Sequence, residues 1–200
     1  MVRRLAAAIL CSAALTAHAD TALFDFDGPD SPINTETPFA LTRSGLTGTF
    51  VNIPVGFSGS FVVGGPGDFP FATLTGNYLI KVRPSAAGNN LQITLSAPQT
   101  SVDLLFALSS PSVLSMFLSD GPTFVGSASA SGSIPPGFLV PEGELSFSGP
   151  AFDQIVLSSV PFAIDDLRLE PAVPIPEPRI VWLLATGLLA VGGIARRRRR

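Results

Sequence analysis

The stretch LQITLSA at 91–97, followed after Pro98, Gln99 and Thr100 by SVDLLFAL at 101–108, decides the fold. Leu91, Ile93 and Leu95 fall on one face of an extended chain, and Val102, Leu104, Phe106 and Leu108 do the same in the second run. Successive side chains of a strand point to opposite faces, so period two over such lengths predicts half-buried strands. Similar runs recur at TALFDFD (21–27), FSGSFVV (57–63), FATLTGNYLIKV (71–82), LSMFLSD (114–120), ELSFSG (144–149), FDQIVLSS (152–159) and FAIDDLRL (162–169). Segments rich in turn formers separate them, among them PSAAGNN (84–90) and SDGP (119–122). About nine or ten strands with no helical period before Arg179 predict an all-β chain, an antiparallel β-sandwich. No repeat of solenoid or propeller length is present. The 19 glycines and 19 prolines among 200 residues stay below the level of a disordered chain.

Outside this body the composition changes. The chain opens MVRRLAAAILCSAALTAHAD: Arg3 and Arg4, then an apolar run, then Ala17 and Ala19 flanking His18. This is the layout of a secretory signal peptide cleaved between Ala19 and Asp20. Lipid attachment at Cys11 is the alternative, but Leu10 stands where such signals want a small residue. The only Cys (Cys11) and the only His (His18) both lie in this segment. A mature chain then has no disulfide, thiol nucleophile, imidazole base, or His or Cys ligand for zinc, which removes Ser-His-Asp and Cys-His hydrolases by inventory. Within 20–175 only Arg43, Lys81, Arg83 and Arg168 are basic, against 14 of the 15 acids, a formal charge of −10. Such a surface repels phosphate backbones, so nucleic acid is not an expected partner.

The chain ends PIPEPRIVWLLATGLLAVGGIARRRRR. Positions 180–195 carry no charge and as a helix would extend about 24 Å at roughly 1.5 Å per residue. That is short for a hydrocarbon core of roughly 30 Å, and snorkelling by Arg179 and Arg196 with Trp182 in the interfacial belt would help it span. A buried soluble helix is the plainer alternative, but five terminal arginines do not pack into a core. The positive-inside rule puts Arg196, Arg197, Arg198, Arg199 and Arg200 in the cytoplasm as a stop-transfer block, with the body outside. Prolines at 171, 174, 176 and 178 keep the approach extended.

Pro176-Glu177-Pro178, an apolar helix beginning near a Trp, and a terminal arginine cluster, in that order, resemble the PEP-CTERM sorting signal of Gram-negative bacteria. The resemblance covers about the last 27 residues. It implies recognition of the motif by exosortase, an integral-membrane transpeptidase-like enzyme that removes the helix, after export by the secretion translocon. An ordinary single-pass anchor is the alternative, and a Gly-Gly variant fits poorly because Gly192 and Gly193 lie at the far end of the helix. The run from SVDLLFAL to FAIDDLRL also resembles the jelly-roll-like domain frequent in PEP-CTERM proteins, which implies that TALFDFD lies beside the last strand. The expected organisation is a signal peptide at 1–19, a β-sandwich domain at 20–170, a Pro-rich linker at 171–179, a transmembrane helix at 180–195 and a cytoplasmic cluster at 196–200.

Candidate sites in the body are few. FAIDDLRL changes phase, since Leu167 and Leu169 join the face of Phe162 and Ile164 only across one extra residue, which predicts a bulge at Asp165-Asp166. With the first strand alongside, Asp25 and Asp27, set opposite Phe24 and Phe26, would meet Asp165 and Asp166 and offer a hard oxygen site for structural Ca²⁺. The plainer reading is a solvated acidic strand end. Glu142 and Glu144 supply the two carboxylates a glycosidase needs, but two apart on one strand they sit side by side, which reads as a solvent-facing edge. GGPGDFP at 64–70 lacks a following helix and a phosphate-binding Lys, and reads as a loop. All 15 Phe lie in the body and are assigned to the core, at roughly 1.5–3 kcal/mol per buried side chain. Tyr78 is then the one aromatic left to stack a sugar. The expectation is a non-enzymatic surface or matrix protein associated with exopolysaccharide or biofilm, or else a carbohydrate-binding module using the same delivery; an exposed aromatic shelf would favour the module.

Overall fold

A computed structural model describes residues 20–53, 60–81 and 89–172. The signal segment with Ala17 and Ala19, the Pro176-Glu177-Pro178 motif, the apolar segment and the arginine cluster lie outside them. The described chain forms ten strands: β1 (Ala22–Phe24), β2 (Phe39–Arg43), β3 (Leu46–Ile53), β4 (Phe61–Gly64), β5 (Tyr78–Lys81), β6 (Asn89–Leu108), β7 (Val113–Asp120), β8 (Thr123–Ser131), β9 (Glu142–Ser159) and β10 (Phe162–Pro171). All strand pairs are antiparallel. Among the described residues there is no helix long and apolar enough to cross a membrane.

LQITLSA and SVDLLFAL are two halves of one strand, and so are ELSFSG and FDQIVLSS. Core-facing apolar positions in β6 run 91, 93, 95 and then 102, 104, 106, 108. The shift of phase falls around Pro98, where the ladder to β9 loses register between Thr94 and Ser101. Pro cannot donate to a ladder, so the strand bends there. Two layers follow from this bend. The first half of β6 and the second half of β9 carry β3 with β2 on one side and β7 with β8 on the other. The remaining halves carry β10, which pairs in turn with β5 and then β1, while β4 pairs β5.

One apolar core joins the layers, with Phe50, Ile93, Met116 and Ile155 from the first and Phe24, Phe61, Phe106 and Ile164 from the second. Phe24 and Phe50 meet edge to face across it at 5.9 Å. Where β8 passes β9, a Cβ on Gly126 would stand 2.6 Å from the Phe147 ring, so only glycine fits. The chain is therefore an antiparallel β-sandwich with its first and last strands paired.

Three parts of the pattern turn out differently. FATLTG is loop, and only Tyr78–Lys81 of that run is strand. The strands β2, β3 and β8 come from sequences whose alternation Gly, Ala, Ser and Thr blur. The phenylalanines are not all core, since Phe69, Phe117 and Phe124 are 52%, 45% and 63% exposed.

Candidate functional site

The connection from β4 to β5 lies over the outer face of the second layer. Across that face Ile80, Ala163, Ala107 and Glu142 form one row through β5, β10, β6 and β9. The two alanines leave space into which Leu74 of the loop packs, with Phe71, Tyr78, Leu105 and Val140 around it. Laying a loop on a sheet strips water from its backbone N–H groups, and each needs an acceptor. Three carboxylates from three separate segments supply them.

Glu142 is buried and accepts from Ala72 N (2.8 Å), Thr73 N (2.7 Å) and Thr73 Oγ1 (2.6 Å). Asp165 accepts from Thr75 N at 3.2 Å through Oδ2 and from Asp166 N at 2.8 Å through Oδ1. Asp27 accepts from Asn77 N at 2.6 Å. Between these last two contacts Gly76 has φ +75°, and a side chain there would run into the Asp27 carboxylate. Glycine alone meets both demands. Phe69 N donates to the Tyr78 hydroxyl at 3.0 Å, which fixes the other end of the loop.

Asp165 is 1% exposed. Burial pushes its carboxyl up to about 7; the charges of Asp166 and Asp27 add to the rise, and the N–H groups of Asp166 and Thr75 oppose it. The predicted bulge is present: the register of β10 against β6 slips between Asp165 and Arg168, and Asp166 has φ 48°.

The expected calcium set is not assembled. β1 stops at Phe24 and Phe26 takes φ 55°, so Asp25 and Asp27 are not neighbours on a continuous strand. Asp25 lies 3.9 Å from Arg43 Nε, Asp27 holds Asn77 and Asp165 holds Thr75. Arg43 bonds Asp30 at 2.8 Å, which lowers that carboxyl's pKa. Among the described residues no group of three or more carboxylate, His or Cys side chains is disposed to hold a metal ion.

Two further expectations are corrected here. Glu142 is not a solvent-facing edge residue but the main anchor of a covered loop, whereas Glu144 is exposed as expected. Tyr78 is no sugar shelf, because it is 1% exposed beneath that loop. The 64–70 segment is loop apart from Gly64, with Gly65 N bonded to Asp68 Oδ2 at 3.0 Å. Beside it, Phe69 and Phe71 stack at 6.3 Å and 29° and wall a cavity of about 230 Å³ with Ile80, Val140, Pro161 and Phe162. Its lining is almost wholly apolar, Ser109 being the polar exception besides Lys81. The Lys81 ammonium itself is spent on the core side, bonded to Asn52 and 5.0 Å above the Phe61 ring, where burial lowers its pKa.

No protein-family model and no curated protein matches the chain. Among solved structures it is similar to the K1 cleaved adhesin domain of Lys-gingipain from Porphyromonas gingivalis W83, with TM-score 0.46 and 6% identity over 76% of this chain and 99% of that one. A likeness of that degree carries no argument about function.

Proposed function

We propose that the chain is an exported, non-enzymatic protein of the bacterial surface or extracellular matrix, associated with exopolysaccharide. In this reading an exosortase-type enzyme sorts it through Pro176-Glu177-Pro178 after the translocon has passed the body outward. The observation that carries the reading is the order of the tail: Pro-Glu-Pro, apolar run, five arginines, in a chain that opens with a charged, then apolar, then Ala-x-Ala segment. The fold adds support, because β1 starts at Ala22 and β10 ends at Pro171. Cleavage after Ala19 and near Pro176 would leave every described strand in the product. The jelly-roll-like class and the two flanking helices belong to the same proposal. So does the absence of catalysis: the buried carboxylates Glu142 and Asp165 are engaged in holding a loop rather than facing a substrate.

The test is the intact mass of the protein recovered from its host's surface and medium, beside a Glu177→Ala variant. The expected product runs from Asp20 to between Pro176 and Pro178 and is absent in the variant. A full-length tail in both would replace sorting by a simple membrane anchor.

A further inference from the structure

The outer face of the first layer has no loop over it in the described chain and carries no charge. Its side chains follow from the strand registers as rows crossing five strands. Thr49, Thr94, Gln154 and Ser119 make one row, ending at Phe124. The next runs Val51, Gln92, Val156, Phe117 and Ser127. A third runs Ile53, Asn90, Ser158, Ser115 and Ser129. Neighbours within a row are roughly 4.8 Å apart and rows roughly 6.8 Å apart, the spacings of any sheet. What is unusual is the content: hydroxyls and amides, interrupted by Val51, Ile53 and Val156, lie around two exposed rings, Phe117 and Phe124, in a body whose formal charge is −10.

We infer that this face binds an uncharged polysaccharide, with Phe117 as its centre. The inference rests on the reading of the body as a polymer-associated extracellular domain and names the polymer class and the surface. The C–H face of a sugar ring is apolar and weakly positive, and it lies favourably on the negative face of an aromatic ring. Hydroxyls at the rim of that sugar then meet Ser115, Ser119, Ser127 and Gln154, each able to donate or accept. Ser119 and Gln154 are already bonded to each other at 3.2 Å, which holds both in place beside the ring. Charge selects the partner. A polyanion would be repelled by the acidic body, and a polycation would find no carboxylate on this face. A protein partner is disfavoured by composition, because protein interfaces are depleted in Ser and this grid is rich in it.

The experiment uses the full chain in a polyoxyethylene detergent, run in native gels cast with dextran, hydroxyethyl cellulose, galactomannan or polygalacturonate. Retardation is expected with at least one of the three neutral polymers and should persist from about 0.05 to 0.5 M salt because no ion pair is involved, whereas any retardation by polygalacturonate through the terminal arginines should vanish over that range. Phe117→Ser, at an exposed position, should weaken it about tenfold with the fold intact by circular dichroism. Thr94→Glu, which sets a charge in the grid, should weaken it several-fold, and Phe69→Ser on the opposite layer should leave it unchanged. Loss with Phe69→Ser but not Phe117→Ser would overturn the assignment of this face while leaving polymer association standing. No retardation by any neutral polymer would overturn the inference itself, whereas the sorting proposal stands or falls on the mass measurement alone. A dimer by sedimentation that Phe117→Ser dissociates would give the face to a second copy instead.

Discussion

The two outer faces of this sandwich are built partly from the same strands, β6 and β9, yet they are finished in opposite ways. On the second layer the chain covers its own sheet: loop 69–77 lies over Ala107 and Ala163 and is tied down by Glu142, Asp165 and Asp27. On the first layer Ser, Thr, Gln and Asn remain in solvent, bonded here and there to one another, as Thr42 is to Thr47 at 2.8 Å. The difference shows what covering a sheet requires. A loop laid on apolar side chains loses water from its N–H groups, and acidic acceptors must replace that water. An open face needs no such acceptors, and its hydroxyls are left for another molecule.

The sharpest way to break the contrast is to remove the central acceptor. Glu142→Ala leaves the Ala72 and Thr73 N–H groups without partners under the loop, and the expected loss of stability is about 3 kcal/mol by denaturant unfolding. Glu142→Gln keeps an acceptor oxygen and should lose about half as much. A loss below about 0.5 kcal/mol for the alanine variant would mean that the loop is held by Leu74 and Phe71 alone. Gly76→Ala tests the same region through the backbone. With φ +75° and the Asp27 carboxylate in the way of a Cβ, it should cost about 2 kcal/mol, and an unchanged melting temperature would show that Asp27 swings aside freely.

Asp165 gives the comparison a pH dependence. Its carboxyl titrates at about 7 in the fold and, without the fold, at about 3.9. Between those values the folded chain keeps a proton that the unfolded chain has lost. The stability this contributes is complete below about pH 4 and disappears as pH rises through about 7. Urea midpoints measured across that window should therefore fall with pH, and Asp165→Asn should flatten the fall. An Asn variant with the parent's slope would assign the dependence to another group.

How much of this was legible in the sequence depends on what each residue faces. Leu91, Ile93 and Leu95 announce a strand because their alternation is driven by one core, and FAIDDLRL announces its bulge because two apolar pairs fall out of phase across Asp165-Asp166. β8 stays hidden because its inward positions are Gly126, Ala128 and Ala130, small enough to sit close to the opposite layer and too weakly apolar to mark a face. FATLTG reads as strand because Phe71 and Leu74 are apolar, but Leu74 is buried and Phe71 half-buried on the outside of the sheet, and apolar burial alone does not say on which side. The role of Glu142 was illegible for a related reason. Its donors lie some seventy positions away on a loop, and only the topology brings them together. The neutral grid needs the registers too, since no single strand displays more than one column of it.

The smallest effects are expected on that grid, and they carry the last test of the contrast. Thr94→Ser and Ser129→Ala remove a methyl or a hydroxyl from solvent-facing positions, Thr94 exposed and Ser129 with its inward neighbours Ala128 and Ala130 untouched. Each should change stability by less than about 0.5 kcal/mol, because water satisfies whatever the lost group had satisfied. The Gln92 Nε2 to Thr94 Oγ1 contact at 3.3 Å persists in the serine variant and gives no reason for a larger loss. If instead either change cost more than about 1 kcal/mol, the hydroxyl rows would be a structural ladder that holds the strands of this layer in register. The open face would then serve the fold as fully as the covered one does, and its freedom to receive a polymer would have to be argued from Phe117 alone.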